Sequence, residues 1–347
     1  MEVEKYPDIL KSLKNKKDRK LNLLIGNGFS IAYNKDMFSY NALSKFVQDT
    51  DNEDLKKLFN IINTDNFEQI MRELNLFEKI VKEFDEKSIL SSKLDTISKD
   101  LKNSLIKAVD ELHPEVVFSI PEDECNSCAH FLAPFLESNG QIFSTNYDLL
   151  LYWVLMRKNM ENCIDGFGRD LENEDEVQTG GAPCYSELHW GKHKEEQNIH
   201  YLHGALPIFD YGYEIIKEEY DGSYLLDKIK ARMEKNNYPI FVAAGTGDEK
   251  LNHIMHNHYL SYCYDRLCSI SGSLVTFGFN FGPYDEHIIK AINKAAGQNF
   301  EKKLWSIYIG VYSDSDKKHI EEIAEKFKIQ KIHLFDAKTV DLWRCSK

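Results

Sequence analysis

Short runs of apolar residues recur along the chain, and several of them end at a glycine or at a cluster of small polar residues. Apolar runs of about four to eight residues bounded in this way are typical of strands that are buried on both faces. The segments predicted to form buried strands are 21–25, 141–144, 199–202, 239–244, 273–279, 304–311 and 332–335.

Longer segments between these runs carry apolar residues at helical spacing. Residues 30–136 are predicted to be almost entirely helical, with clear periodicity over 55–62, 67–84 and 89–112. This stretch is too long to be the connection of a simple strand–helix–strand unit, so we predict an inserted helical module over about 40–125. Further helices are predicted at 146–156, 251–270, 285–295 and 316–327.

The alternation of strands and helices predicts an α/β protein. Its sheet is expected to be doubly wound, mostly parallel and Rossmann-like, within one domain that spans 1–347. Residues 161–197 are rich in Gly, Glu and Asp, and we predict that they form a loop or a lid.

The composition narrows the classes of function. The 347 residues include 43 basic and 56 acidic ones, so the formal net charge is −13. A surface of this sign repels phosphate backbones, and direct nucleic-acid binding is therefore not expected. The seven cysteines are odd in number and irregularly spaced, as expected for thiols in a reducing cytoplasm. No apolar stretch reaches the ~18 residues typical of a membrane-spanning helix.

A turn with two glycines follows the first predicted strand. It contains Gly26, Asn27, Gly28, Phe29 and Ser30. The glycines let the backbone approach a pyrophosphate, and a helix that starts here presents free N–H groups to an anion. The third glycine of the common dinucleotide-binding motif is missing, so an ordinary tight turn is the competing interpretation.

Polar residues also follow the second predicted strand. Thr145, Asn146 and Asp148 stand where this strand ends and a helix is predicted to begin. Helix capping explains part of the pattern, because Thr145 or Asn146 can cap a helix and Asp148 suits its first turn. Capping alone does not explain why all three side chains stand together at the end of one strand, so they are candidate site residues.

A histidine follows the third predicted strand. His203 precedes Gly204, and an imidazole titrates near neutral pH. A lone histidine is more often a hydrogen-bonded structural residue, but a glycine beside it opens the backbone. His203 is therefore a candidate for acid–base chemistry.

A second turn with two glycines follows the most hydrophobic predicted strand. Gly278, Phe279 and Asn280 belong to it, and Asp285 stands at the start of the next predicted helix. Because the carboxyl ends of parallel strands form one crevice, the four motifs together predict a single ligand site.

The cysteine and histidine spacing does not predict a metal site. Cys125 and Cys128 form half of a zinc-binding pattern, but no second pair with this spacing is present. The histidines at 253, 256 and 258 have no familiar ligand spacing either. No bound metal is expected.

Taken in order, the motifs resemble those of the sirtuin fold. Sirtuins carry Gly-Ala-Gly-x-Ser, Thr-Gln-Asn-x-Asp, His-Gly and Gly-Thr-Ser segments, and the counterparts here are 26–30, 145–148, 203–204 and 278–280. The chain is more similar to the compact sirtuin-like proteins of bacterial anti-phage defence, which use Thr-Asn-Tyr-Asp and Gly-Phe-Ser-Phe versions. The resemblance covers about 21–310. Asn280 stands where this family usually has Ser.

The resemblance implies an NAD⁺ glycohydrolase that cleaves NAD⁺ to nicotinamide and ADP-ribose. The four-Cys zinc module and the Phe-Arg motif of classical deacetylases are missing, which weakens protein deacylation. NAD⁺ would be the substrate, without a metal, and the protein would act in the bacterial cytoplasm as a defence effector that depletes NAD⁺. The resemblance also implies control by homo-oligomerisation or by a partner such as a hexameric translocase-type ATPase. The helical module and the segment 161–197 are candidates for assembly and gating.

The resemblance also implies roles for the candidate residues. Asn146 would position the ribose or the attacking water, His203 would act as general base, and Asp148 would orient groups or stabilise charge. The residues expected to bind the NAD⁺ are Gly26, Asn27, Gly28, Phe29, Ser30, Thr145, Gly278, Phe279, Asn280 and Asp285.

Two other functions remain open at the level of sequence. The chain would be a regulatory module if it bound NAD⁺ or ADP-ribose without hydrolysing it. It would be an NAD-dependent protein deacylase if it had a peptide groove and, usually, zinc.

Overall fold

A computed structural model of the chain describes residues 1–15, 19–34, 52–62, 67–85, 89–112, 117–173, 177–178, 181–220, 224–242, 246–297 and 303–343. Its strands are β1 (Val3–Lys5), β2 (Leu21–Ile25), β3 (Ile142–Ser144), β4 (Phe167–Gly168), β5 (Leu188–Trp190), β6 (Ile199–Tyr201), β7 (Gly204–Asp210), β8 (Ile215–Lys217), β9 (Pro239–Phe241), β10 (Gly272–Phe277), β11 (Leu304–Val311) and β12 (Lys331–Asp336).

Among the described residues, the larger sheet has seven strands in the order β1-β12-β11-β10-β2-β3-β6, and all their pairings are parallel. From β2 the chain adds β3 and β6 on one side and β10, β11 and β12 on the other. The order therefore reverses between β2 and β10, as in Rossmann-like sheets. Every residue of β2 and of β10 is buried, as expected for central strands covered on both faces. The predicted α/β class with a large, mostly parallel sheet is confirmed.

A second sheet is antiparallel and, in the part of the chain that the structure describes, has five strands in the order β4-β5-β8-β7-β9. Its strand β7 begins directly after β6 of the larger sheet, so the segment at 202–203 joins the two sheets. Gly204 makes this change of direction with a φ of +82°, and a Cβ there would lie 1.9 Å from the Ile240 carbonyl oxygen. The glycine is required by this close approach of two backbones.

The helices flank these sheets. They are α1 (Tyr6–Lys14), α2 (Asn27–Tyr33), α3 (Glu53–Ile62), α4 (Phe67–Asp85), α5 (Ile89–Leu112), α6 (Glu122–Glu137), α7 (Leu150–Arg157), α8 (Leu225–Glu234), α9 (Gly247–Met255), α10 (His258–Cys268), α11 (Glu286–Ala296) and α12 (Asp314–Ile323). In the predicted module at 40–125, α3, α4 and α5 are helical as expected, whereas 40–51, 63–66, 86–88 and 113–116 lie outside the described residues. None of the helices in the described ranges is long and apolar enough to span a membrane.

Two predicted helices differ most from the structure in their bounds, and local hydrogen bonds from side chains explain both. The helix predicted at 146–156 begins at Leu150, because the Asp148 carboxylate accepts a hydrogen bond from the Leu150 amide at 3.0 Å. The helix predicted at 251–270 is two helices, α9 and α10, because Asn257 caps the second one by accepting from the Leu260 amide at 3.0 Å.

The antiparallel sheet was not predicted. The segment predicted at 239–244 is a strand only to Phe241, and it belongs to this sheet rather than to the parallel one; residues 243–244 lie outside the described ranges. Residues 161–197, predicted to be a loop, contribute β4 and β5. The role of this segment as a lid stays a prediction.

Candidate functional site

Four adjacent strands of the parallel sheet end at the same level. Phe277 of β10 is paired with Ile25 of β2, Ile25 with Ser144 of β3, and Ser144 with Tyr201 of β6. Each of the four sequence motifs begins within two residues after one of these ends. The motifs therefore lie side by side along one edge of the sheet, at the point where the strand order reverses. In open parallel sheets this edge is where ligands bind.

The two turns with glycines pack against each other. The Gly28 amide donates to the Gly278 carbonyl at 2.9 Å, and the Gly26 amide donates to the Phe277 carbonyl at 3.0 Å. A Cβ on Gly28 would lie 2.5 Å from the Gly278 Cα, and Gly278 has a φ of +66°. The contact between the turns therefore accounts for these glycines whether or not a ligand is bound.

Three buried side chains beside these turns form what we call the serine–asparagine–aspartate cluster: Ser30, Asn146 and Asp148. The Ser30 hydroxyl donates to Asp148 Oδ2 at 2.5 Å and accepts from Asn146 Nδ2 at 2.9 Å. Asn146 Nδ2 also donates to the Gly26 carbonyl at 3.1 Å. This network joins residues 118 positions apart and fixes the orientation of all three side chains.

Asp148 is a carboxyl group in an apolar environment. Burial raises its pKa, against the hydrogen bonds from Ser30 and from the Leu150 amide, which lower it. The Ser30 hydroxyl and backbone amides, including that of Leu150, thus stabilise the charged carboxylate. This arrangement places a buried carboxylate near Asn146, at the edge of the sheet where the four strands end.

Thr145 turns towards the neighbouring strand. Its amide and its hydroxyl both donate to the Ile25 carbonyl, at 3.1 Å and 3.3 Å. The Asn146 amide donates to the Ser144 hydroxyl at 3.0 Å. Thr145, predicted to contact NAD⁺, has its hydroxyl bonded to the end of β2 and holds the turn in place.

His203 is completely buried at the junction of the two sheets. Its carbonyl accepts from the Val242 amide at 2.9 Å, and its Nε2 lies 2.8 Å from Nε2 of His287. We call these two residues the histidine pair. Nδ1 of each imidazole is buried and has no hydrogen-bond partner within the described ranges.

The histidine pair is held in its neutral form. Burial lowers the pKa of His203 well below its usual value, and the neighbouring His287 and Lys250 lower it further. Burial also lowers the pKa of His287, to about 3, with further contributions from Lys250 and Lys290. Neutral imidazoles can accept a proton, which an active-site base requires.

Asp285 forms an ion pair beside the histidines. Lys250 Nζ donates to Asp285 Oδ1 at 2.9 Å, and the lysine is almost fully buried. His203, Asp285 and His287 place potential metal-ligand atoms within 4.8 Å of one another, the one such group in the part of the chain that the structure describes. The Lys250 ammonium already neutralises this carboxylate and would repel a cation, so the group is a poor metal site. Cys125 and Cys128 lie buried in α6, outside this group.

The remaining predicted residues lie around the crevice without joining either cluster. The Phe29 side chain is buried and its ring lies 5.1 Å from that of Trp343, while Phe279 packs edge-on against Phe281. Asn27 is half-buried, and Asn280 is exposed.

Neither His287 nor Lys250 was predicted from the sequence to be a functional residue. His287 lies 84 positions from His203, so no local spacing links them. The one local sign was its place just after Asp285, at the start of a helix that follows a turn with two glycines.

The parallel sheet and its crevice define an α/β protein with a Rossmann-like architecture. A family model described as a domain of unknown function (DUF4917) matches residues 23–343, and the chain belongs to this family. Comparison with curated proteins found no match.

Proposed function

We propose that this chain is an NAD⁺ glycohydrolase with the architecture of a sirtuin-like protein. The observation that carries the proposal is the alignment of four strand ends, which brings the turns at 26–30 and 278–280 beside Asn146 and His203. An extended dinucleotide fits a crevice at the point where the strand order reverses. The resemblance of the ordered motifs to sirtuins points to NAD⁺ as that dinucleotide.

Cleavage of NAD⁺ requires little of the protein beyond positioning the substrate and the water. The nicotinamide of NAD⁺ is a cationic leaving group, and breaking its ribosyl bond develops positive charge at the anomeric carbon. The Asp148 carboxylate is suited to stabilise that charge, and the Asn146 amide to orient the ribose or the attacking water. His203, as a neutral base, would take the proton of the water.

The turns would hold the rest of the dinucleotide. The turn at 26–30 would bind the pyrophosphate, while its Gly26 and Gly28 pack against the turn at 278–280. Gly278 and Asn280 would line the adenosine side. Ser30 would contribute by holding Asn146 and Asp148, because its hydroxyl hydrogen bonds with both of them.

A regulatory module that binds NAD⁺ or ADP-ribose without cleaving it is the second candidate. The complete burial of His203 favours it, because the imidazole Nε2 is already bonded to His287 in this structure. Hydrolysis requires a ligand to reach Nδ1 of His203 or to displace His287.

Control by assembly and a role in bacterial anti-phage defence belong to the same proposal. Helix α4 exposes Phe77 and Phe84, at 57% and 85% of their surface, so the helical module has apolar side chains at its surface. We keep a homo-oligomer and a hexameric translocase-type ATPase as the proposed partners. Sedimentation of the purified protein, alone and with its genomic neighbour, tests both.

Nicotinamide release from NAD⁺ by the purified protein tests the enzymatic proposal. Asn146→Ala and His203→Ala should each lower the rate by about 100-fold or more, the usual scale of acid–base catalysis. His203→Gln covers the case in which the alanine variant does not fold, and His258→Gln, at an exposed position, is the matched control. Wild-type turnover in folded variants of both residues would refute the assignment. Tight NAD⁺ binding without release would favour the regulatory module.

A further inference from the structure

The histidine pair has more hydrogen-bonding capacity than the protein uses. The two Nε2 atoms are 2.8 Å apart, and the ring centroids are 5.1 Å apart at an interplanar angle of 30°, so the rings meet edge to edge through Nε2. At this distance one nitrogen donates a hydrogen and the other accepts it. Both Nδ1 atoms stay buried without a partner in the described part of the chain.

The tautomers follow from this shared hydrogen. A neutral imidazole carries one N–H, so the donor of the pair has a bare Nδ1 and the acceptor has a protonated Nδ1. The two unpartnered atoms are therefore one acceptor and one donor. Buried polar atoms left in this state are costly, and in native proteins they mark positions that a ligand, a water or a proton completes.

The surroundings of the pair are polar on one side. A carboxylate oxygen of Asp285 lies within 4.8 Å of a ring nitrogen of each histidine. Because Asp285 forms an ion pair with Lys250, the two residues together place a dipole rather than a net charge beside the histidines. His253 and Lys290 also act electrostatically on the pair, at longer range. An added proton on the pair would lie near the carboxylate of Asp285, the residue that directly precedes α11, the helix that carries His287.

We propose that His287 is a positioning residue that holds His203 as the Nε2–H tautomer and receives a proton from it during hydrolysis. This inference rests on the proposed function. His203 Nε2–H donates to His287 Nε2, so that the Nδ1 lone pair of His203 faces the nucleophile. His287 then carries its own hydrogen on Nδ1.

The step balances in protons and electrons. The oxygen of water bonds to the anomeric carbon of NAD⁺, and the electron pair of the breaking C–N bond goes to the nicotinamide nitrogen. The proton of the water moves to His203 Nδ1, while the Nε2 hydrogen of His203 moves to His287 Nε2. The pair then holds one additional proton, which passes to solvent after product release.

The first experiment does not use NAD⁺. ¹⁵N NMR of the imidazoles in the ligand-free protein, assigned with His203→Gln and His287→Gln, reports both tautomers near neutral pH. We expect His203 as Nε2–H and His287 as Nδ1–H. The same tautomer on both residues, the reverse assignment, or a stoichiometric metal in the purified protein would overturn the proposal. Failure of NAD⁺ cleavage in the wild type would affect the proposed function but not this readout.

The second experiment separates proton transfer from simple packing. Glutamine at 287 can accept from His203 Nε2–H but cannot take up a proton, whereas phenylalanine can do neither. We expect kcat for nicotinamide release to fall about 10-fold in His287→Gln and about 100-fold in His287→Phe, with KM changed less than about threefold. His258→Gln should match the wild type. Unchanged kcat in folded His287→Phe would refute the role.

Solvent isotope effects give a signature that a structural role would not produce. In mixtures of H₂O and D₂O, single-turnover rates of the wild type should vary with deuterium fraction along a curve, because two protons move. In His287→Gln the dependence should become linear, because only the proton of the water moves. A linear dependence in the wild type would contradict transfer to His287.

Discussion

The serine–asparagine–aspartate cluster and the histidine pair lie at the same crevice, but their polar atoms are satisfied differently. In the first, Ser30 hydrogen bonds with Asn146 and Asp148, and backbone groups accept from Asn146 or donate to Asp148. In the second, His203 and His287 bond to each other through Nε2, and each leaves a buried Nδ1 unpartnered within the described ranges.

The serine–asparagine–aspartate cluster is therefore already assembled, whereas a ligand would complete the hydrogen bonding of the histidine pair. Internal hydrogen bonds fix the orientation of the first cluster, and such preorganisation is what electrostatic stabilisation requires. Burial also acts on both clusters in opposite directions, because it raises the pKa of Asp148 and lowers those of the histidines. In both cases burial makes the charged form less favourable than it is in water.

The largest effect should come from breaking the contact between the two turns that support the first cluster. A Cβ in Gly28→Ala would lie 2.5 Å from the backbone of Gly278, so β2 and β10 would have to shift at their ends. We expect a loss of about 3 kcal/mol in the free energy of unfolding, measured with urea. Gly282→Ala is the matched control, since its Cβ would meet only side-chain atoms at 3.7 Å and 3.8 Å. Equal stability of the two variants would contradict the packing argument.

Removing the central hydroxyl of the first cluster should have the next largest effect. Ser30→Ala removes the hydroxyl that donates to Asp148 Oδ2 at 2.5 Å, so the buried carboxylate loses a hydrogen bond that stabilises its charge. The expected cost is about 2 kcal/mol of unfolding free energy. Asp148→Asn in the Ser30→Ala background should recover part of it, because no charge is then buried. A double variant as unstable as the sum of both single variants would show that the two residues do not interact.

The pH dependence of stability should differ in sign between the clusters. The pKa of His287 is lowered in the folded protein to about 3, so the unfolded chain binds more protons below its ordinary value of 6.5. Stability is therefore retained above about pH 6.5 and lost as the pH falls towards 3. The pKa of Asp148 is raised, so its contribution is present below the ordinary value of 3.8 and lost as the pH rises.

Urea unfolding at pH 7 and pH 5 measures this difference. The wild type should lose about 1–2 kcal/mol more than His287→Gln between these two pH values. Relative to Asp148→Asn, the wild type should gain stability as the pH falls towards 3.8, in a urea series extended to about pH 4. Parallel pH profiles for the wild type and His287→Gln would mean that His287 is protonated equally in the folded and unfolded states.

The parallel sheet was predictable because its strands are buried on both faces. Segments such as 273–279 and 304–311 consist mostly of apolar residues with Ser, Thr or Gly between them, and runs of this kind mark central strands in a sequence. Strands β4, β5 and β8 have two or three residues each, and none is an uninterrupted apolar run. Strand β1, with three exposed residues, was missed for the same reason. Their position depends on pairing partners distant in sequence, which no local pattern encodes.

The site was predictable to the extent that it depends on strand ends. Asn146 and His203 follow apolar runs directly, so the sheet topology alone brings them to one edge. The contacts that decide their chemistry join residues from separate segments, such as Ser30 with Asp148 and His203 with His287. Those contacts come from tertiary packing, and their distances and burial were not accessible from the sequence.

The smallest effect should come from Trp343, which packs against the turn that carries Ser30 of the first cluster. Trp343 is buried, donates from Nε1 to the Phe29 carbonyl at 2.9 Å, and packs edge-on against the rings of Phe29 and Tyr33. Trp343→Phe keeps an aromatic ring but loses the donor, so we expect a cost of about 1 kcal/mol in urea unfolding. Trp305→Phe, at a partly exposed position on β11, is the control and should change stability by less than about 0.5 kcal/mol. Because Trp343 contacts the turn and not the histidines, the imidazole NMR signals of His203 and His287 should stay unchanged. A shift of those signals would show that the two clusters are coupled through α2.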